Sequence, residues 1–137
     1  MDYGKAIELA TSNLDRYNDH LTILSNYYIH EVQKRISNIK INGDPNNKLS
    51  GNNNICFAGV DGGKLIQLLD KKGICASSGS ACSAGFINPS QVLLATGISP
   101  NLAKGSLRIT FGRENTIDDV KYLVDSVEEI VEKMRKL

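Results

Sequence analysis

The sequence predicts a small α/β domain, two-layered in the α+β manner, with helices packed on a small sheet. Three observations lead there. A long apolar stripe at helical spacing opens the chain, and short apolar runs bounded by turn formers follow it. A second amphipathic stripe closes it.

At 137 residues the chain is most simply a single domain, 1–137, able to bury about two thirds of the surface its unfolded form exposes. Hydrophobic residues at 41% and charged residues at 23% are ordinary for a globular protein. A formal net charge of +1 argues against a nucleic-acid surface. No apolar run approaches the ~18 residues of a membrane span. The N-terminus MDYGKAIELA has no apolar h-region and so no secretory signal is expected; the expectation is a cytoplasmic protein.

Each element has its own argument. Tyr3, Ile7, Ala10, Leu14, Tyr17, Leu21, Leu24 and Tyr28 alternate at spacings of four and three, predicting one long helix. Ile29, Val32 and Ile36 continue its apolar face after a one-residue shift, and His20 and His30 fall on its solvated sides. Self-packing and a coiled-coil dimer are both consistent with a stripe of that length, and a homo-oligomer is one possible outcome. INGDPNNKLSGNNN, 41–54, reads as a loop. ICFAGV, 55–60, reads as a buried strand holding Cys56 in the core. DGGKLIQLLDKKG, 61–73, reads as a helix with Asp61 at its N-cap and Gly73 at its end. Its Gly62-Gly63-Lys64 start resembles a phosphate nest but lacks the spacer of a P-loop.

Ile74–Ala76 is expected as a strand with Cys75 in the core, and a Ser/Gly/Ala-rich segment follows. Asn88-Pro89-Ser90 opens a short helix, with Pro suited to its first turn. GSLRITFG, 105–112, alternates as a strand does, with Leu107, Ile109 and Phe111 on one face and Arg108 and Thr110 on the other. Thr116 and Asp119 form a capping-box pattern ahead of the last helix, whose stripe is Val120, Leu123, Val124, Val127, Ile130, Val131 and Met134.

The three cysteines stand 19 and then 7 residues apart. That spacing matches no C-x-x-C knuckle, and with both histidines far upstream no metal site is expected. Cys82 is the chemically distinct thiol. Ser78, Gly79, Ser80 and Ala81 before it, and Ser83, Ala84 and Gly85 after it, form a small, polar, sterically open carrier. A nucleophilic thiol has to be accessible and partly thiolate. Composition alone leaves Cys82 open between a reactive and an incidental cysteine.

SSGSACSAGFINPSQVLLATGIS followed by GSLRITFGRENTIDDV resembles the C-terminal part of the cysteine desulfurases, PLP (pyridoxal phosphate) enzymes of the class V aminotransferase superfamily. The resemblance covers essentially the whole chain. It implies the small domain of a fold-type I transferase, with 1–38 as the long linking helix and 39–137 as the small domain. It also implies that Cys82 forms the persulfide and that Arg108 grips the substrate α-carboxylate, which a planar guanidinium can do through two parallel hydrogen bonds. The competing reading of Arg108 is a surface ion-pair residue, and Arg113 is read as structural. In such enzymes PLP holds L-cysteine and acts as electron sink. The loop thiolate takes the sulfur and alanine leaves.

The implied partners are L-cysteine, a sulfur acceptor such as an iron–sulfur scaffold protein, and a large PLP domain or second subunit. The Ser/His-rich lysine motif of that large domain is missing from this sequence. No PLP is therefore expected on this chain alone, which is expected to be inactive by itself. A stand-alone persulfide-carrier or interaction module is the other reading.

Overall fold

The computed structural model describes residues 2–78 and 89–137. Its elements are α1 (Tyr3–Ser12), α2 (Leu14–Arg35), β1 (Ile39–Ile41), β2 (Asn52–Phe57), α3 (Gly62–Asp70), α4 (Gln91–Ala95), α5 (Pro100–Ala103), β3 (Ser106–Thr110) and α6 (Ile117–Arg135). The three strands form an antiparallel sheet in the order β1-β2-β3. Ile41 stands opposite Ile55, which in turn faces Leu107.

Strand alternation divides this sheet into two faces. Ile55, Phe57, Leu107 and Ile109 point into one core with Leu24, Tyr28 and Val32 of α2, Leu65 and Leu69 of α3, and the α6 stripe. Seven α6 residues from Val120 to Val131 are buried, in line with the sequence stripe. On the other face Cys56 packs with Leu93, Ile98 and Ala103 from α4, α5 and the turn between them.

The caps follow the sequence. Asp61 Oδ1 accepts from Lys64 N at 2.9 Å. Thr116 Oγ1 accepts from Asp119 N at 3.2 Å, and Asp119 Oδ2 accepts from Thr116 N at 2.9 Å, closing the box. Gly73, at φ +76°, reverses the chain after α3. Gly62 has a packing reason, because a Cβ there would meet Ser106 O at 2.6 Å. Its lack of a side chain lets the start of α3 lie against β3.

The structure corrects several expectations. The long N-terminal helix is two helices, parted at Asn13. Its stripe is buried only from Leu21 onward, because nothing among the described residues covers α1, which buries no residue. Tyr3 is 82% exposed, Ile7 50% and Leu14 51%. The expected loop at 41–54 gives up both its ends to strands. Ile39–Ile41 pairs with β2, and β2 starts at Asn52 and stops at Phe57, before the turn at Gly59 (φ +73°). The 91–95 helix is capped at Ser90, leaving Pro89 outside it, and Asn88 lies outside the described residues. Pro100 fills the first-turn role in α5, which the sequence reading missed.

Ile74–Ala76 forms no strand ladder. Only Ser77 makes a bridge, to Arg108. Ile74 and Ala76 lean against the core while Cys75 between them faces out, so Cys75 is exposed rather than buried. Alternation about an unpaired segment explains it. His20 is also less solvated than expected, half-buried with Nε2 2.9 Å from Asn115 O, while His30 is exposed.

Candidate active-site face

Arg108 lies mid-strand in β3, half-buried, on the face opposite the helical core. Its position follows from the alternation of SLRIT, since burying Leu107 and Ile109 turns Arg108 the other way. Among the described residues no carboxylate pairs with its guanidinium, and residues 79–88 contain no Asp or Glu. The ion-pair reading of Arg108 therefore lacks a partner. Arg113, in contrast, is a surface residue paired with Glu114 at 3.0 Å.

The chain that leads to Cys82 is rooted beside Arg108. Ser77 N donates to Arg108 O at 3.1 Å, and Arg108 N donates back to Ser77 O. The Ser106 hydroxyl donates to Ser78 O. Cys82 itself, with Gly79, Ser80 and Ala81, lies outside the described residues. Ser78 is the last described residue before them and is exposed.

Next to Arg108 on this face is a polar group that the sequence reading did not single out. Asn54 is the Cα partner of Arg108. Asn42 Nδ2 donates to Asn54 Oδ1 at 2.7 Å and lies 3.0 Å from Cys56 Sγ. Asn42 Oδ1 and Asn52 Oδ1 are buried without a hydrogen-bond partner among the described residues. The signal was present in NNNICF, where Asn52, Asn54 and Cys56 recur with a period of two, but three consecutive asparagines read as loop. Cys56 is fully buried, and burial pushes its thiol pKa up despite the Asn42 hydrogen bond, which suits a packing role rather than a nucleophile.

Several of the eleven lysines are held by partners within the chain. Lys5, Lys72, Lys121 and Lys133 are engaged by carboxylates at the surface. Lys48 Nζ is held 2.7 Å from Asn53 Oδ1, and the hollow of about 390 Å³ that it lines also includes His30 and Asn42.

This small antiparallel sheet, with helices packed on one face, is shared with a segment of solved NifS-like proteins. A solved NifS-like protein from Rickettsia africae is 26% identical with a TM-score of 0.76, covering 90% of this chain and 31% of that one. Another NifS-like protein superposes with a TM-score of 0.80 at 24% identity. The profile of the class V aminotransferases matches residues 1–123, and the chain belongs to that family. It is 44% identical to the cysteine desulfurase IscS of Dictyoglomus turgidum and 41% identical to that of Methanosarcina thermophila, over 98% of its length in both cases. It spans 34% and 33% of those relatives, about a third of their length. No helix among the described residues is long and apolar enough to cross a membrane.

Proposed function

We propose that this chain is the part of a cysteine desulfurase that supplies the persulfide-forming thiol, Cys82, and the carboxylate clamp, Arg108. The observation that carries this reading is the reciprocal hydrogen bonding of Ser77 and Arg108, which ties the root of the Cys82 segment to the strand of the clamp. Cys82 lies four positions after Ser78, and an extended chain spans at most ~3.3–3.6 Å per residue. The thiol therefore has a reach of about 13 Å from its anchor, enough to meet a substrate held at Arg108 and then to carry its sulfur away. Ser78, Gly79, Ser80 and Ala81 are small enough to serve as that tether.

In this reading sulfur passes from L-cysteine to Cys82: an S–S bond forms, the substrate C–S bond breaks with its electron pair left on carbon, and that carbon takes up a proton to give alanine. PLP, the electron sink of such chemistry, belongs to residues other than those described here. They would be carried by a larger domain or a second subunit, and the exposed apolar side of α1 gives a surface for it. The persulfide would go to an acceptor such as an iron–sulfur scaffold protein, in the cytoplasm.

The test combines this chain with the remaining two thirds of the Dictyoglomus turgidum relative, PLP and sulfur-labelled L-cysteine. Label is expected on Cys82 and on neither Cys56 nor Cys75, with none bound after Cys82→Ser. Arg108→Ala is expected to slow alanine release about ten- to a hundredfold, the worth of charge-assisted hydrogen bonds to a carboxylate. Alanine release without label on Cys82 overturns the assignment. Without the added fragment, the chain mixed with PLP is expected to show no absorbance band of a lysine-bound cofactor.

A further inference from the structure

One polar row crosses the face of the sheet that carries Arg108. Asn42 lies beside Asn54, Asn54 is the Cα partner of Arg108, and Arg108 is bridged to Ser77. From this juxtaposition we propose that Asn54 is the second donor of the carboxylate site. Its amide N–H would share the carboxylate with the Arg108 guanidinium, and Asn42 is the positioning residue that aims it. The inference rests on the reading of Arg108 given above and adds a residue to it.

Geometry supports the pairing. Directly opposed residues of an antiparallel pair share a face, with Cβ atoms about 4.5–5.5 Å apart. The tips of a short amide and a long guanidinium can therefore meet at one carboxylate. Orientation supports it too. Asn42 Nδ2 occupies Asn54 Oδ1 at 2.7 Å, which leaves the Asn54 Nδ2 donor on the far side of the amide. Nothing among the described residues accepts from that nitrogen, and it is not among the buried unpartnered atoms, whereas Asn42 Oδ1 is.

Charge decides the residue type. An aspartate at 54 would pair with Arg108 within the chain and occupy the clamp; an asparagine adds a donor and leaves the cation free. Asparagine is also a poor strand former at a paired position. Its amide is not needed to fill the helical core, which lies on the other face. Both donors ride on neighbouring strands of one sheet, so little has to be ordered when a carboxylate arrives.

The experiment is an NMR titration of the 137-residue chain, nitrogen-labelled, with L-alanine as the carboxylate probe and ethylamine as the control that lacks the carboxylate. Saturating shifts of the Arg108 Nε–H and Asn54 Nδ2–H signals, with one shared dissociation constant and no response to ethylamine, are expected. Asn54→Ala is expected to weaken binding about three- to tenfold, with Arg108 still responding. Asn54→Asp is expected to weaken it further by occupying Arg108, and Asn54→Ser to recover part of the loss by restoring a donor. If Arg108 responds while the Asn54 side chain does not and Asn54→Ala binds normally, the inference is overturned and the clamp reading stands. A silent Arg108 overturns both. Should Asn54→Ala fail to fold, the wild-type Asn54 signals and Asn54→Ser decide.

Discussion

The two faces of the three-stranded sheet are built from alternate residues of the same strands and have opposite tasks. Ile55, Phe57, Leu107 and Ile109 point into a closed layer of three helices. Asn54, Arg108 and Thr110 point the other way, where, among the described residues, the short α4 and α5 cover the end that holds Cys56. On the closed face the apolar side chains are justified by the apolar neighbours they meet, and the buried Asn53 by its hydrogen bonds with Ser25 and Lys48. On the open face Asn42 Oδ1 and Asn52 Oδ1 have no hydrogen-bond partner among the described residues. Apolar burial is concentrated on one side, and the carboxylate site proposed above lies on the other.

This contrast can be broken first at Phe57, which is fully buried on the closed face. Phe57→Ala is expected to cost about 3–5 kcal/mol through lost burial and the cavity left behind. Urea unfolding followed by circular dichroism would read it, and a cost near that of a surface substitution would dissolve the distinction between the faces.

A change of opposite sign is expected at Tyr28. Its ring is edge-on to Phe111 at 5.8 Å, but its hydroxyl is buried with no hydrogen-bond partner among the described residues, and burial alone pushes its pKa well above the ordinary tyrosine range. Tyr28→Phe keeps the ring and removes the desolvated hydroxyl, so a gain of about 1 kcal/mol is expected. A clear loss in the same urea assay would mean that the hydroxyl is satisfied in solution.

Arg108→Ala sharpens the comparison from the other face. With no ion pair to lose among the described residues, its unfolding free energy is expected to change by less than about 0.5 kcal/mol, while alanine release in the two-fragment assay collapses. Equal damage to stability and to activity would mean that Arg108 is structural.

The smallest effect belongs to the outer side of the helical layer. Glu129 is held at a pKa of about 2, below its ordinary 4.5, first by its hydrogen bond with Lys133 and then by that with Lys72, which ties the turn after α3 to α6. A depressed carboxylate stabilises the fold above its unfolded pKa, and that support fades as pH falls from about 4.5 toward 2. Both partners are at the surface, so the effect is small and screened by salt. Comparing urea midpoints of wild type and Glu129→Gln above and below this window would show the two converging in acid.

Much of the closed face was legible in the sequence. Periodicity located α6 and the buried half of α2, Thr116 and Asp119 announced their capping box, and LRI fixed which way Arg108 points. The missed pieces share a cause. Ile39–Ile41 is too short to show a period, and Asn52–Asn54 is held in β2 by its neighbours against its own preference. Ile74–Ala76 has the composition of a strand but finds no ladder partner, and Cys75 is turned out as a result. Of the proposed site, the motif resemblance gave Arg108 and Cys82, whereas Asn54 emerged from register and Asn42 from its hydrogen bond to Asn54.

The sequence by itself determined the local features: which segments coil, where they are capped, and which side of β3 is apolar. It did so because hydrogen-bonded turns, caps and alternation act between residues a few positions apart. Tertiary structure alone decided which stripe is covered. The same apolar spacing runs through α1 and α2, yet it is buried from Leu21 onward and exposed before it. Tertiary structure also brought Asn42, Asn54, Ser77 and Arg108 into one row. Cross-strand register depends on pairings between distant segments, and no local pattern encodes those partners.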